Sequence, residues 1–318
     1  MVKNLNTNTP KALSFKKVPL LGMLALMVSS NIALAEQSAP SDKFDLLAWT
    51  ISVPVDSDGD GKSDQIKEKE LAAGYSDPNF FYLAEDGGMV FKAPIKGAKT
   101  SKNTSYTRSE LREMMRRGDT SHKTKGVNQN NWVFSSAPQA DLDSAGGIDG
   151  SMQATLAVNH VTTTGESWQV GRVIIGQIHA NKDEPIRLYY RKLPHHTKGS
   201  IYFAHEPRKD FGDEQWIDMI GGMLPSYWEQ DATPQEPDDG IELNEKFSYR
   251  IDVEGNTLRV SIMRPGKDDL VREHDMSSSG YDAGGQYMYF KAGVYNQNKS
   301  GEPDDYAQAT FYELSVSH

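Results

Sequence analysis

Short segments in which apolar and polar residues alternate recur along most of this chain, and this pattern restricts its fold more than any other feature. A period of two is typical of strands with one buried face, and Gly, Asn, Asp and Pro separate the segments. The pattern predicts strands at Met152–Val158, Val170–His179, Ile186–Lys192, Ser200–His205, Phe247–Val253, Thr257–Arg264, Tyr287–Asn296 and Ala309–Val316. Glu254-Gly255-Asn256 predicts a hairpin turn between two of them. Helical periodicity is scarce, and Asp64–Ala73 is its best example.

Regularly spaced strands without intervening helices predict an all-β protein, a β-sandwich or jelly roll. Residues 1–35 are expected to be a signal peptide instead. They carry four lysines, then the apolar stretch Val18–Val28, then Ala33-Leu34-Ala35 before Glu36. The apolar stretch is too short to span a membrane. We therefore expect a secreted or periplasmic bacterial protein whose single folded domain is 36–318.

The chain has no cysteine and a formal net charge of −10, which becomes −14 without the four lysines of the signal segment. The lack of cysteine excludes disulfides, thiolate metal sites and cysteine nucleophiles. The acidic balance argues against nucleic acid and against an anionic membrane surface as partners. Taken alone, it also argues against any polyanionic partner.

Three predicted strands contradict that last inference, because each carries polar groups on one face. The first, Tyr106–Glu113, places Arg108, Glu110 and Arg112 together, opposite Leu111. Guanidinium groups form forked hydrogen bonds with carboxylates, and Glu110 would fix their orientation. A lattice of surface charges is the alternative interpretation.

The second strand ends in Gln177-Ile178-His179, where Gln177 and His179 share a face. Histidine can accept a proton near neutral pH, and a glutamine amide can bind a carboxylate without adding charge. A purely structural histidine is the alternative.

The third strand places Tyr289, Lys291, Gly293, Tyr295 and Gln297 opposite an apolar face. Gly293 is predicted to leave room for a ligand near the backbone. A tyrosine phenol is a useful acid or base when its pKa is lowered, and Lys291 and the arginines are expected to lower that of Tyr295. An ordinary solvated face is the alternative.

Together these groups suit the abstraction of a proton α to a carboxylate. Arginine and glutamine would neutralise the carboxylate, a base would take the proton, and an acid would protonate the leaving oxygen. In an acidic polysaccharide this reaction is β-elimination. The carboxylate pair of a glycosidase, a P-loop and a zinc-protease motif do not stand out.

The blocks Arg108–Arg112, Gln177–His179 and Tyr289–Gln297, in this order, resemble the three signature blocks of alginate lyases of polysaccharide lyase family 7. The resemblance spans roughly 44–318 and makes 36–318 a catalytic domain. It implies a jelly roll of two antiparallel sheets, with a substrate groove on the concave one. It also implies an enzyme that cleaves alginate into oligosaccharides with unsaturated ends, and we expect endo action and a monomer.

The resemblance also assigns roles to individual residues. It makes Tyr295 the general acid and His179 the base, or a group that orients the sugar. Gln177 and an arginine would neutralise the carboxylate, with Arg108 placed first and Arg112 second. Substrate contacts are expected from Arg112, Glu110, Lys291, Tyr289 and Gln297. Ile178 between Gln177 and His179 is associated with acceptance of guluronate-containing blocks.

No cofactor is expected for the elimination, but Asp56–Asp64 resembles a calcium loop. Its oxygens and Gly61 fit the EF-hand spacing, whereas position 12 is Lys67 and Glu68 is one residue late. The alternative is an Asp-rich turn that caps the following helix. Two other functions also stay open: a non-catalytic carbohydrate-binding module, and a lyase for another polyuronate such as glucuronan.

Overall fold

Strands make up almost all the regular structure of the computed structural model, which describes Met1 and residues 38–222 and 234–318. The strands are β1 Trp49–Ser52, β2 Gln65–Ile66, β3 Phe81–Leu83, β4 Met89–Pro94, β5 Arg108–Glu113, β6 Trp132–Val133, β7 Gly147–Ile148, β8 Gly150–His160, β9 Arg172–His179, β10 Ile186–Arg191, β11 Lys198–His205, β12 Gln215–Ile220, β13 Ile241–Glu242, β14 Phe247–Glu254, β15 Thr257–Met263, β16 Leu270–Asp275, β17 Tyr289–Asn296 and β18 Tyr306–Ser317. The helices are α1 Glu68–Ala72 and α2 Gln139–Leu142, with 3-10 turns at Pro40–Asp42 and Leu46–Ala48. Apart from Met1, the predicted signal peptide lies outside the described residues.

Two antiparallel sheets form the body of the fold. The first has the strand order β12-β11-β10-β9-β17-β5-β1-β2, with β13 paired to β11. The second has the order β16-β15-β14-β8-β18-β4-β3, and β6 and β7 form a small parallel pair. The predicted all-β jelly roll of two antiparallel sheets is confirmed, and the parallel pair is an addition to it. Within the described ranges, neither helix is long and apolar enough to cross a membrane.

The predicted strands all correspond to observed ones, but the predicted helix is only half correct. Gln65–Ile66 pairs with β1 as strand β2, so the helix is confined to α1, Glu68–Ala72. Pairing of Ile66 with Ile51 buries both side chains, and this tertiary contact outweighs local helical preference. The predicted hairpin turn is confirmed as a two-residue loop, because Glu254 pairs with Thr257.

The hydrophobic core lies between the sheets and also shapes the strand that carries the candidate base. Tyr249 of β14 is fully buried, and its hydroxyl donates to the carbonyl oxygen of Ile175 in β9 at 3.0 Å. A Cβ atom on Gly176 would lie 2.8 Å from that hydroxyl, so only glycine fits there. A register shift opposite β10 falls at the same place and reorients the end of β9.

Candidate active site

A cleft of about 800 Å³ lies on the face of the first sheet that carries the three polar strands. Strands β1, β2, β5, β17 and β9 contribute to its floor, and the loops 100–106 and 181–184 contribute to its walls. The described residues that line it include five cations and two carboxylates: Arg108, Arg112, Lys125, Lys182 and Lys291, against Glu110 and Glu184. The lining is therefore cationic although the chain is acidic.

Glu110 is the centre of the cleft floor. Its side chain is 2% exposed, and its Oε2 accepts a hydrogen bond from Arg108 Nη1 at 2.9 Å and another from Lys291 Nζ. Its Oε1 accepts one from the amide nitrogen of Gln177. Antiparallel pairing sets this arrangement, since β17 lies between β5 and β9 and aligns Lys291 with both Arg112 and Gln177. The predicted role of Glu110 in orienting the cations agrees with these contacts.

Burial and neighbouring charges give this cluster an unusual acid–base balance. Burial opposes ionisation of Glu110, but Lys291 and Arg108 outweigh it and hold the pKa of the carboxyl below its usual value. Burial, followed by the charge of Arg108, lowers the pKa of Lys291 to about 8. Glu110 is therefore ionised at neutral pH, while Lys291 loses its charge only a little above it.

Tyr295 lies directly against Arg108. The guanidinium carbon is 3.6 Å from the centroid of the Tyr295 ring, a cation–π contact. Burial raises the pKa of the Tyr295 phenol and outweighs the lowering by Arg108. The prediction that cations lower this pKa is therefore wrong, because the phenol is largely desolvated. A phenol that keeps its proton suits an acid better than a base.

One hydrogen-bond donor of Arg108 has no partner among the described residues. Its Nη1 binds Glu110, whereas its buried Nε has no hydrogen-bond partner in the described part of the chain. A buried donor without a partner is costly, and an incoming carboxylate would satisfy it.

Arg112 is held more firmly, because its Nη2 donates to the carbonyl oxygen of Thr124 at 2.6 Å. Its guanidinium carbon also lies 4.0 Å from the centroid of the Tyr289 ring. These observations favour Arg108 as the carboxylate ligand.

His179 is held on three sides. Its Nδ1 lies 2.7 Å from the carbonyl oxygen of Ala180, which can only accept, so Nδ1 carries the hydrogen. Its ring stacks on Tyr289 with centroids 5.1 Å apart, and its Nε2 lies 3.2 Å from Glu184 Oε1. Burial, followed by the charge of Lys291, lowers the pKa of His179 to about 4. At neutral pH the ring is therefore neutral, with the lone pair on Nε2.

Gly293 has a different role from the predicted one. Its φ of +133° is a conformation that favours glycine, and a Cβ there would lie 2.7 Å from the carbonyl oxygen of Ser109. The missing side chain thus allows close approach of β5 to β17, rather than leaving space for a ligand. A register shift against β9 lies between Ala292 and Tyr295.

Two predicted site residues lie outside the cleft lining. Gln177 is 1% exposed and reaches the site only through its bond to Glu110. Gln297 follows the end of β17, is 4% exposed, and has its backbone nitrogen bonded to the carbonyl oxygen of Arg172. The other predicted residues, Arg108, Glu110, Arg112, His179, Tyr289, Lys291 and Tyr295, line one cleft.

Glu184 and Tyr106 also line the cleft, although neither was predicted as a site residue from the sequence. Glu184 approaches His179 from the loop after β9, and the Tyr106 ring meets that of Tyr295 edge-on at 6.2 Å. Glu184 lies in a loop outside any alternating pattern, whereas Tyr106 alternates in step with Arg108 and Glu110. For Tyr106 the available signal was its place just before the block Arg108–Arg112.

Asp56, Asp58 and Asp64 bring carboxylate oxygens within 4.8 Å of one another. Asp56 and Asp64 accept backbone hydrogen bonds from Gly61 and Ser57, so they stabilise the loop itself. Helix α1 starts at Glu68 without a side-chain cap, so the proposed capping of the helix by this turn is wrong. Glu68 binds Arg116 and is not a substitute for the missing twelfth calcium ligand.

Comparison with known proteins agrees with this geometry. Residues 44–318 match the family model described as alginate lyase. The chain belongs to the alginate lyase family. An alginate lyase of Klebsiella pneumoniae is 69% identical over 92% of this chain and 96% of its own length. The crystal structure of the Klebsiella pneumoniae alginate lyase has a TM-score of 0.87 at 69% identity, covering 88% of this chain and 98% of that one.

A more distant member supports the fold alone. Alginate lyase A1-II', from polysaccharide lyase family 7, has a TM-score of 0.60 at 23% identity, over 88% of this chain and 99% of its own. The resemblance of the three sequence blocks to that family is thus confirmed, and the protein is a polysaccharide lyase.

Proposed function

We propose that this chain cleaves the 1,4-glycosidic bonds of alginate by β-elimination. The observation that carries the proposal is the pair of opposite protonation states in one cationic cleft. His179 has its pKa lowered to about 4, so it is a neutral base. Tyr295 has its pKa raised, so it is a protonated acid. Environments that push two pKa values apart in this way separate the base from the acid.

The reaction starts at the carboxylate of the sugar. Arg108, with its unpartnered Nε, binds that group, and Lys291 adds a second positive charge. Both stabilise the charge that builds up as the α proton leaves. Gln177 orients the cluster through Glu110, and in our proposal a direct contact of its amide with the carboxylate follows a shift of that bond.

The elimination then forms one double bond in the sugar and breaks one glycosidic bond, with one proton leaving and one arriving. His179 Nε2 takes the proton from C5, the electron pair forms the C4–C5 double bond, and the C4–O bond breaks. Tyr295 gives its phenolic proton to the leaving oxygen. The products are a shortened chain and a chain with an unsaturated uronate at its end. No cofactor takes part in any of these steps.

We further propose endo action on guluronate-containing blocks. The cleft floor crosses five strands, and loops contribute to both walls, which supports binding of an internal stretch of polymer. The proposed preference for guluronate rests on the family's association of isoleucine at position 178 with guluronate. Ile178 is fully buried, so it does not itself contact the sugar. Gln297 stays a predicted substrate contact. We also propose that the protein acts as a monomer, secreted or periplasmic, after loss of residues 1–35.

Alginate depolymerisation tests the proposal through the ultraviolet absorbance of the unsaturated product. We expect the signal with polyguluronate, and early products of mixed length. Tyr295→Phe should abolish turnover and keep binding, whereas Tyr82→Phe, in β3 of the other sheet, should have no effect. Binding without product would instead indicate a carbohydrate-binding module, and product from glucuronan alone would indicate another lyase. Faster cleavage of polymannuronate would refute the guluronate preference.

A chelator tests the loop Asp56–Asp64. We expect the initial rate to stay unchanged, because Arg108 and Lys291 supply the positive charge at the reacting group. Calcium in the loop would appear as a lower melting temperature after chelation and its recovery with added calcium. A fall in rate at an unchanged melting temperature would contradict the proposed chemistry.

A further inference from the structure

Glu184 is a carboxylate that the proposed reaction leaves without a role, although it lies beside the base. We infer that Glu184 is a positioning residue for His179, which fixes the imidazole and stabilises the proton that Nε2 takes from the sugar. This inference rests on the proposed function. It explains why a carboxylate lies in a cleft whose lining is mainly cationic and whose proposed substrate is a polyanion.

The Glu184 carboxylate lies beside Nε2 of His179, the nitrogen that accepts the proton. The hydrogen on Nδ1 is committed to the carbonyl oxygen of Ala180 at 2.7 Å, so Nε2 is the atom that accepts a proton. Glu184 Oε1 lies 3.2 Å from that same Nε2. A neutral imidazole gains little from this neighbour, but an imidazolium gains an ion pair in a largely buried setting. The interaction therefore strengthens as the proton is transferred, which is the requirement for lowering the barrier.

Glu184 is itself anchored from the opposite side. Its Oε2 lies 3.9 Å from Arg187 Nη1, and Arg187 also contacts Glu206 at 3.3 Å. Burial and a hydrogen bond to Glu184 raise the pKa of Glu206, so Glu206 also contacts Glu184. Arg187 and Glu206 therefore hold the Glu184 carboxyl group in place beside His179.

The loop that carries Glu184 is fixed at both ends. The backbone nitrogen of Ala180 donates to the carbonyl oxygen of Asp183 at 2.9 Å, which closes a tight turn. Buried His205 contacts the carbonyl oxygen of Pro185 through Nδ1 at 2.8 Å. A loop held in this way keeps a side chain at a defined distance from the base.

Other charged groups surround His179, so the effect of Glu184 must be separated from theirs. They are Lys291, Tyr289 and Tyr295 from β17, Arg108, Glu110 and Arg112 from β5, Lys182 from the loop, and Arg187 from β10. Lys291 and Arg108 lower the proton affinity of His179, and Glu110 raises it. Among the described carboxylates, Glu184 is the one at ion-pair distance from the ring.

The test compares Glu184→Gln with Asp183→Asn. Both remove one negative charge from the same loop, but the structure gives Asp183 no ion pair with His179 within the described ranges. Removing a negative charge from this loop, which contributes to the cleft wall, should lower KM for alginate in both variants, because repulsion of the polyanion decreases. Only Glu184→Gln should also lower kcat, by about tenfold or more. In this variant the pKa of His179, followed by NMR, and the acidic limb of kcat/KM should move to lower pH.

Glu184→Asp keeps the charge with a shorter reach and should retain more kcat than Glu184→Gln. Melting temperatures of all variants identify any loss of folding. Equal kcat in Glu184→Gln and Asp183→Asn, an unchanged pKa of His179, or equal losses in Glu184→Gln and Glu184→Asp would each overturn the inference alone. A wild-type protein without activity on alginate would overturn the proposed function, and the inference with it.

Discussion

Replacement of Glu110 by glutamine should destabilise the fold strongly, although the two side chains have nearly the same shape. Glu110 is the buried counter-ion of Arg108, at 2.9 Å, and of Lys291. After the replacement, two buried cations lie side by side without a neighbouring negative charge. Removal of one member of a buried ion pair costs about 3–5 kcal/mol.

Lys291 limits that cost. Burial and Arg108 already lower its pKa to about 8, so at pH 7 loss of its proton costs about 1.4 kcal/mol. The neutral amine then removes most of the repulsion. We therefore expect a loss near the lower end of the range, about 3 kcal/mol at pH 7, and a smaller loss at about pH 9, where Lys291 is neutral in both proteins.

The assay is equilibrium unfolding in urea at both pH values. Glu273→Gln is the control, since it breaks the Arg259–Glu273 pair of 2.7 Å, whose side chains are about half exposed, and should leave the midpoint nearly unchanged. Glu110→Gln combined with Lys291→Met should recover part of the loss. The reasoning is refuted if the two single variants unfold at the same midpoint, or if the loss for Glu110→Gln is equal at both pH values.

Three more measurements test other parts of the molecule. Burial opposes protonation of His318, but the hydrogen bond to Glu113 at 2.7 Å outweighs burial and raises the pKa of His318 above 6.5. The protonated His318 therefore stabilises the fold fully below pH 6.5, and this stabilisation is lost as the pH rises through the pKa of the folded state. His318→Gln should therefore lower the melting temperature more at about pH 5.5 than at about pH 8.5. Since the pKa of Lys291 is about 8, KM for alginate should rise above that pH, and Lys291→Arg should remove the rise. Gly293→Ala should cost about 1–3 kcal/mol, because its Cβ meets the carbonyl oxygen of Ser109 at 2.7 Å, whereas Gly266→Ala, with open space around it, should cost less; equal losses in thermal unfolding would contradict the close approach of the strands.

The sequence predicts the strands well, because alternation follows directly from burial of one sheet face. It also predicts which polar residues share a face, and seven of the nine proposed site residues line one cleft. Alternation does not reveal which strands pair, so the placement of β17 between β5 and β9 comes only from the structure. Gln65–Ile66 was misassigned for the same reason, since its partner β1 lies elsewhere in the chain.

The remaining errors concern properties that depend on three-dimensional surroundings. The pKa of Tyr295 was expected to fall because the alternating pattern places Lys291 on the same strand face and the arginines on another polar strand. Burial of the phenol raises its pKa instead. The role of Gly293 depends on its distance from Ser109, a residue of another strand. Glu184 reaches His179 through a loop, which has no periodicity from which a direction could be read.

The net charge of the chain and the local charge of the cleft have opposite signs. A net charge of −10 would repel a polyanion if it were spread evenly, yet the described lining of the cleft has three more cations than carboxylates. One of the two carboxylates, Glu110, is already neutralised by Arg108 and Lys291. Fields from acids more than about 8–10 Å away are screened at moderate salt, so they weaken attraction only at long range. High salt should then weaken alginate binding, because it also screens the cations of the cleft, and a binding constant independent of salt would contradict a cationic cleft.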